Sequence, residues 1–364
     1  IIDEIQNMIS ENGKWYDALY NSIYKAPKSL RVVILSATPM FDKPHEIALM
    51  MNLLRLPKQM PVGPDFQREF ISIHKTIDGI YHYRVKNMDL FKKMVKGYIS
   101  YYAGAPSYVF PELIIKYIRC EMSDFQYRSY KTVLANENKD DMLSKFKKKF
   151  RIFKEGDILD LPNNFFIGTR MISNIAFPNK SVNETGLESF KGAAITRHLE
   201  QYSPKFAKMY TKVNRCKGKV FVYSNFKNYG GLRSFIQVLE AFGYKNYEEH
   251  DVGRRRFAVW SGDVKMSTRE EIKTIYNRLD NLDGSKIKIL LGSSAISVGI
   301  SLTSVRQIHL MDPYWNQSLT KQIIGRGVRF CSHKDSPPDN RIVKVYAYIS
   351  VHDDEDQTIE EYIT

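Results

Sequence analysis

The chain predicts an α/β fold in two units with parallel sheets, on three observations. From residue 203 onward, short apolar strands alternate with amphipathic helices, the pattern of a parallel sheet covered on both faces. The 364 residues with 43% hydrophobic content suffice for two cores. A Gly- and Pro-punctuated stretch, Lys96 to Gly104 followed by Pro106 and Pro111, reads as the crossing between them. The expected units are 1–112 and 113–364.

In order along the chain, Ile1-Ile2 ahead of Asp3-Glu4-Ile5-Gln6 reads as a strand ending in two acids, and Arg31 to Leu35 as a second short strand. A helix follows from about Pro44 to Leu54, prolines 57, 61 and 64 interrupt, and Met88 to Val95 is a further helix. The second unit opens with strand Leu113 to Met122 and a helix after Ser123 that carries Gln126 and Tyr130. Residues 136–200 are irregular and basic, with Lys145, Lys147, Lys148, Lys149 and Arg151, and read as a surface elaboration whose charges are a solvated face or a DNA contact. Then come a helix from Ser203 through Val213, strand Lys219 to Tyr223, helix Gly231 to Phe242, strand Arg256 to Trp260 and helix Thr268 to Asn277. Strands Lys288 to Leu291 and Gln307 to Met311, helix Ser318 to Val328 and strand Val343 to Ile349 complete the unit, without internal repeats.

Lys and Arg number 54 against 40 Asp and Glu, a formal charge of +14, so an acidic polymer is a plausible partner. Three cysteines, Cys120, Cys216 and Cys331, form no C-x-x-C pair, which argues against a zinc site or disulfide scaffold and fits a reducing compartment. No signal peptide or spanning apolar run is visible, so the expected location is cytosolic or nuclear. Residue 1 is isoleucine inside an expected buried strand, and no G-x-x-x-x-G-K-[ST] loop occurs. Both suggest a natural protein that begins earlier.

Acids at the carboxyl end of a parallel strand lie where such sheets bind ligands. Asp3 is assigned to holding Mg2+ through its water shell, and Glu4 to orienting the water that attacks a terminal phosphate. Ser36 and Thr38 end the next strand, where a hydroxyl can bond the acids, face the other unit or cap the following helix. Ser293, before Gly299, follows an apolar strand, and Ser224 with Asn225 forms a polar lip suited to a nucleic-acid phosphate. Arg326 and Arg329, three residues apart behind Gly325, are placed on one face of a helix headed by Gln322. Two guanidinium forks there could stabilise phosphoryl charge and reach ATP only when the units close; the competing account makes them surface salt-bridge partners.

With those residues in place, the chain resembles a superfamily 2 helicase or translocase from its second motif onward. Asp3-Glu4-Ile5-Gln6 is similar to motif II, Ser36-Ala37-Thr38 to motif III, Tyr223 to Phe226 to motif IV, Ser293 to Leu302 to motif V and Gln322 to Arg329 to motif VI. Within that superfamily it resembles the Swi/Snf-like branch. Ser123-x-x-Gln126-x-x-x-Tyr130, Arg170 to Asn174 with Pro178, and Met311-Asp312-Pro313-Tyr314-Trp315-Asn316 carry that likeness. The stretch Gln322 to Phe330, followed by Ser332-His333, Pro337-Pro338, Arg341 and Val343 to Tyr348, resembles the nucleoside triphosphatase I and early-transcription-factor helicases of poxviruses, asfarviruses and giant viruses.

The resemblance implies two RecA-like lobes, the first truncated at its N-terminus, and an ATPase using ATP and Mg2+. It implies movement along DNA, single- or double-stranded, in early viral transcription beside a viral RNA polymerase, in the virion and host cytoplasm, with no membrane partner. Asp3, Glu4, Arg326 and Arg329 take catalytic roles. Gln6, Ser36, Thr38, Gly299 and Gln322 take coupling roles, and Ser224, Asn225, Ser293, Trp315 and Asn316 nucleic-acid contacts. Two positions depart from the pattern: Gln6 stands for the usual His or Asp, and Ser301 for a frequent Asp. Without motif I, residues 1–364 alone are expected to hydrolyse ATP negligibly. The alternatives are a non-catalytic transcription-factor subunit that holds DNA or polymerase, and the motor of a restriction system.

Overall fold

The computed structural model describes residues 1–9, 14–37, 39–40, 43–75, 81–101, 106–139, 166–293, 296, 300–314 and 317–364. The basic run at 145–151 lies outside them. The described residues form two compact units, one within Ile1–Gly104, the other within Ala105–Leu143 and Asn164–Thr364.

In the first unit, Ile2 N–H donates to Val33 O and Leu35 N–H to Ile2 O, both at 2.8 Å, which makes a parallel bridge between Ile2 and Ile34. The strand expected at Arg31 to Leu35 is reduced to this bridge. It has one neighbour only among the described residues, and Val33 and Leu35 remain 48% and 47% exposed. Helices α1 (Lys14–Lys25), α2 (Glu46–Asn52) and α3 (Gly63–Phe70) follow, then the antiparallel pair β1 (Ile71–Lys75) and β2 (Tyr81–Val85), and α4 (Met88–Val95). Helix α2 ties the unit together because its two faces serve two cores. Leu49 and Met50 pack with Ile5, Tyr16 and Ile23, while Ala48 and Met51 pack with Phe66 and Phe70.

The second unit is built on a sheet of seven parallel strands in the order β3-β9-β8-β4-β7-β6-β5. Along the chain, β3 (Glu112–Glu121) precedes α5 (Asp124–Lys139), α6 (Ile167–Asn174), α7 (Glu184–Ser189), α8 (Ala193–Thr196), α9 (Leu199–Tyr202) and α10 (Pro204–Arg215). Next come β4 (Lys219–Tyr223), α11 (Leu232–Ala241), β5 (Lys245–Asn246), α12 (Tyr247–His250), β6 (Arg256–Trp260) and α13 (Met266–Asn277). The chain continues with β7 (Ile289–Gly292), β8 (Val305–Leu310), α14 (Gln317–Gly327), β9 (Ile342–Val351) and α15 (Ile359–Ile363).

Alternation along each strand explains the two covered faces. Val220, Val222, Ile289, Leu291, Tyr346 and Tyr348 pack with Phe206, Met209 and Val213 of α10 and Phe235 and Val238 of α11. The intervening Phe221, Tyr223, Leu290 and Ala347 pack with Ile272 and Tyr276 of α13 and Ile323 and Ile324 of α14. Burial of each such large side chain is worth about 1.5–3 kcal/mol, so the layers are held mainly by area removed from water. Helix α10 starts where it does because Ser203 accepts from Phe206 N–H at 2.9 Å ahead of Pro204, a side-chain cap followed by proline in the first turn.

One core residue is a lysine. Lys219 opens β4 fully buried, with Nζ donating to Tyr276 O at 2.8 Å, and burial pushes its ammonium down to about 7. The unfolded chain keeps the ordinary value of 10.5, so between pH 7 and 10.5 unfolding takes up a proton and stability rises with pH. The slope is at most about 1.4 kcal/mol per pH unit. Lys219→Met should flatten this rise and stabilise the unit at neutral pH, because Tyr276 O keeps its bond from Asn281 Nδ2 at 3.1 Å. Melting temperatures of both proteins from pH 7 to 10 test this; parallel curves would refute it.

Candidate nucleotide and nucleic-acid site

The acids of the first unit stand on a short 3-10 turn, Ile5–Asn7, pinned by the fully buried Ile5. Glu4 caps this turn in the left-handed region at φ 52°, a conformation that costs a non-glycine residue about 1 kcal/mol. Its N–H donates to Asp3 Oδ1 at 3.0 Å. Gln6, 8% exposed, donates from Nε2 to Glu4 Oε2, and its Oε1 accepts from Ser36 Oγ at 2.7 Å. The sequence-derived residues Glu4, Gln6 and Ser36 are thus joined in one relay. Gln6 suits the place because an amide carries a donor and an acceptor on one planar group. The capping alternative for Ser36 is excluded, since α2 begins at Glu46 with His45 before it. Thr38 lies outside the described residues.

In the second unit the polar residues gather at the carboxyl ends of β4, β7 and β8, where the strand order turns from one direction to the other. Asp312, just past β8, accepts from Ser224 Oγ at 2.5 Å, Asn225 N–H at 3.0 Å and Asn225 Nδ2 at 2.6 Å. Charge-assisted bonds of this kind are stronger than neutral ones, so the ends of β4 and β8 are locked together. Burial and the Asp312 charge push the neighbouring Tyr223 hydroxyl above its usual range. A cavity of about 220 Å³ opens beside Asp312 between Asn225, Tyr314, Gln317 and Lys321. Ser224 is fully buried, which corrects its expected role: its hydroxyl supports Asp312 and is not presented to a phosphate. Ser293 is also buried, 1% exposed, and its hydroxyl has no partner among the described residues. Gly292 is small for a packing reason, since a Cβ there would lie 2.6 Å from Ile296 Cδ1. Gly299, Trp315 and Asn316 lie outside the described residues.

The two arginines do not share a helical face. Helix α14 ends at Gly327, so Arg326 sits in its last turn and Arg329 beyond it, while Gln322 is half-buried in mid-helix and not at its head. What unites the arginines is the segment they reach. Arg326 Nη1 points at Ile300 O at 3.5 Å, Leu302 N–H donates to Arg326 O at 2.8 Å, and Arg329 Nη1 donates to Ser301 Oγ. Ser301, like Gln6 a departure from the family pattern, therefore serves as an acceptor for a guanidinium. Arg329 forms no ion pair with a carboxylate among the described residues.

Two further residues shape the crevice. Arg170, 2% exposed on α6, lies with its guanidinium carbon 5.1 Å from the Phe226 ring centroid and 5.6 Å from that of Tyr314. Gln126 donates to Ile172 O at 2.8 Å and Ser173 O at 3.1 Å, fixing α6 against α5. The one charged residue of helix α6 and an Asp-Pro after a strand were the available signals for Arg170 and Asp312.

Residues 204–331 match the family model for the helicase conserved C-terminal domain. A protein of Acanthamoeba polyphaga mimivirus named "Putative ATP-dependent RNA helicase" is 50% identical over 363 residues, 99% of this chain and 61% of that protein. The termination factor NPH-I homolog of African swine fever virus is 27% identical over 403 residues, 96% of this chain and 56% of that protein. The chain thus spans about three-fifths of the length of these relatives. Among solved structures, the C-terminal part of the Fun30 ATPase domain aligns with a TM-score of 0.46 at 15% identity, covering 70% of this chain and 88% of that one.

Proposed function

From its likeness to viral proteins named as ATP-dependent helicases, we propose that this chain is part of a superfamily 2 translocase of the Swi/Snf-like branch, as found in large DNA viruses, the part that couples ATP hydrolysis to movement on DNA. The reading extends to early transcription beside the viral RNA polymerase, in the virion and host cytoplasm. The observation that carries it is the relay from Glu4 through Gln6 to Ser36. A change in what Glu4 bonds is felt at Ser36 through a single buried side chain, which is what coupling of nucleotide state to a second element requires.

The donor chemistry fits Mg2+: Asp3 and Glu4 offer hard carboxylate oxygens, and among the described residues neither pairs with a cation. Asp3, which is exposed, would hold the ion, and the ion would supply charge neutralisation at the phosphates. Glu4 is held by Gln6 in position to orient a water. Arg326 and Arg329, restrained by residues 300–301, bring two cations to phosphoryl oxygens on which charge accumulates. Asp312, with Ser224 and Asn225, keeps the ends of β4 and β8 rigid beneath the nucleic acid.

ATP hydrolysis by the whole protein should rise when DNA is added and fall when the DNA is digested. A rate indifferent to every nucleic acid would remove the coupling. Stimulation by RNA and not DNA would keep the motor and reverse the polymer, in line with the mimivirus relative's name.

A further inference from the structure

The amino-terminal edge of the seven-stranded sheet carries a row of cations that none of the motifs uses. Strand register places them side by side. Lys344 pairs with Gln307, next to Arg306 on β8; Val220, after Lys219 of β4, pairs with Ile289, after Lys288; and Lys288 N–H donates to Arg256 O, next to Arg255. Arg215, the last residue of α10, and Lys217, in the link from α10 to β4, join the row. Arg215, Lys217, Arg255 and Lys344 are exposed, and Lys288 and Arg306 half-buried. Among the described residues none of the six forms an ion pair with a carboxylate.

Like charges are also drawn together there. Arg255 Nη2 and Lys288 Nζ both donate to Asn214, at 3.2 and 3.1 Å, and both lie over the Tyr244 ring, at 5.3 and 5.9 Å from its centroid. Burial, and after it the Arg255 charge, hold the Lys288 ammonium below its ordinary value, against the opposing influence of Cys216. A multiply charged anion would relieve the mutual repulsion of these cations. The dipole of α10 explains Arg215, at its carboxyl end, but not the cations on strands. Acids flank the row at its two ends, Glu112 at the start of β3 beside β9, and Asp251 and Asp283 near β5 and β6, the latter close to Arg254.

From β9 to β6 the row crosses four strand spacings, roughly 19 Å at about 4.8 Å each, against about 3.4 Å of duplex axis per phosphate on one strand. The row sits one strand length, roughly 17 Å, from the crevice of Asp312 and Ser293. We infer that this edge is a second nucleic-acid contact, separate from the motif crevice, which holds the sugar-phosphate backbone without reading sequence. Lysine and arginine side chains on strand ends suit phosphates, and Tyr244 lies beneath its cations and not open to bases.

The test compares the whole protein with a triple variant, Arg215→Gln, Lys288→Gln, Lys344→Gln, and with a control triple of equal charge loss, Lys180→Gln, Lys191→Gln, Arg197→Gln. Binding to labelled duplex DNA, labelled RNA and labelled polyglutamate is measured by fluorescence anisotropy without ATP over a salt series. Loss of three phosphate contacts should lower the slope of log affinity against log salt by about 2–3 and weaken binding about tenfold or more, with the control unchanged. A loss with only one polymer supports the contact and identifies which nucleic acid occupies it. An unaltered slope with both, or an equal fall in the control, overturns it, as does a loss confined to polyglutamate, which would indicate an acidic protein. ATP hydrolysis at saturating DNA should be kept by the triple variant, so failure of the motor reading is registered separately.

Discussion

Arg326→Ala is expected to lower the DNA-stimulated ATP hydrolysis of the whole protein by about a thousandfold or more, while its melting temperature stays near that of the parent. The rate effect follows from the charge that develops on phosphoryl oxygens, for which an arginine supplies three to five powers of ten in related chemistry. The fold is kept because the tie between α14 and residue 302 runs through the backbone, Leu302 N–H to Arg326 O, which alanine retains. Arg326→Lys should recover little of the rate, since an ammonium is a point charge without the planar fork. Single-turnover hydrolysis with saturating DNA decides the matter. A loss below tenfold for Arg326→Ala would take Arg326 out of the chemistry.

Much of the second unit is legible in the sequence because its strands are buried on both faces. Lys219–Tyr223 and Arg256–Trp260 are short apolar runs between turn residues, and they form strands at the expected bounds. The helix carrying Arg326 was legible in position but not in its end. Its continuation to Val328 rests on spacing, whereas the chain leaves the helix at Gly327, whose backbone packs close to Ile308 and Val305, and turns so that Ser332 Oγ bonds Arg329 N–H at 3.3 Å. The first unit was harder to read. Helix α1 announces itself only by Tyr16, Tyr20 and Ile23 at helical spacing, with tyrosines standing where aliphatic residues usually mark a core face, and it was missed. The hairpin β1–β2 was missed too, because Ile71 and Ile73 alternate with polar residues over too short a run to separate from a loop. At the site, residue types pointed to Glu4 and Ser36 separately, but the amide that joins them is a tertiary fact that no spacing encodes.

Lys205→Met is expected to destabilise the second unit by about 3–5 kcal/mol, and adding Glu360→Leu should restore part of that loss. Both side chains are fully buried, and Lys205 Nζ donates to Glu360 Oε1 at 2.7 Å, Oε2 at 2.8 Å and Asn174 Oδ1 at 2.8 Å. Burial already pushes the Glu360 carboxyl above its ordinary range although Lys205 opposes the shift. Without the ammonium, the carboxylate is left uncompensated in a medium that solvates charge poorly, and the cost of the single change is chiefly that of this orphan. Removing both charges abolishes it, leaving the Asn174 side-chain oxygen and the Ser350 N–H, which donates to Glu360 Oε2 at 2.6 Å, to lose a bond each, so recovery is incomplete. For a unit of this size the single variant should melt roughly 6–20 °C below the parent, with the double variant between. Urea denaturation of the three proteins tests the ordering. A double variant as unstable as Lys205→Met would mean that packing and hydrogen bonds, and not the unpaired charge, set the cost. The consequence reaches the crevice, because Asn174 also donates to Gly230 O at 2.7 Å and Ser350 to Ser173 O at 2.5 Å. Loosening the pair therefore frees α15 and, through α6, the helix that holds Arg170 between Phe226 and Tyr314.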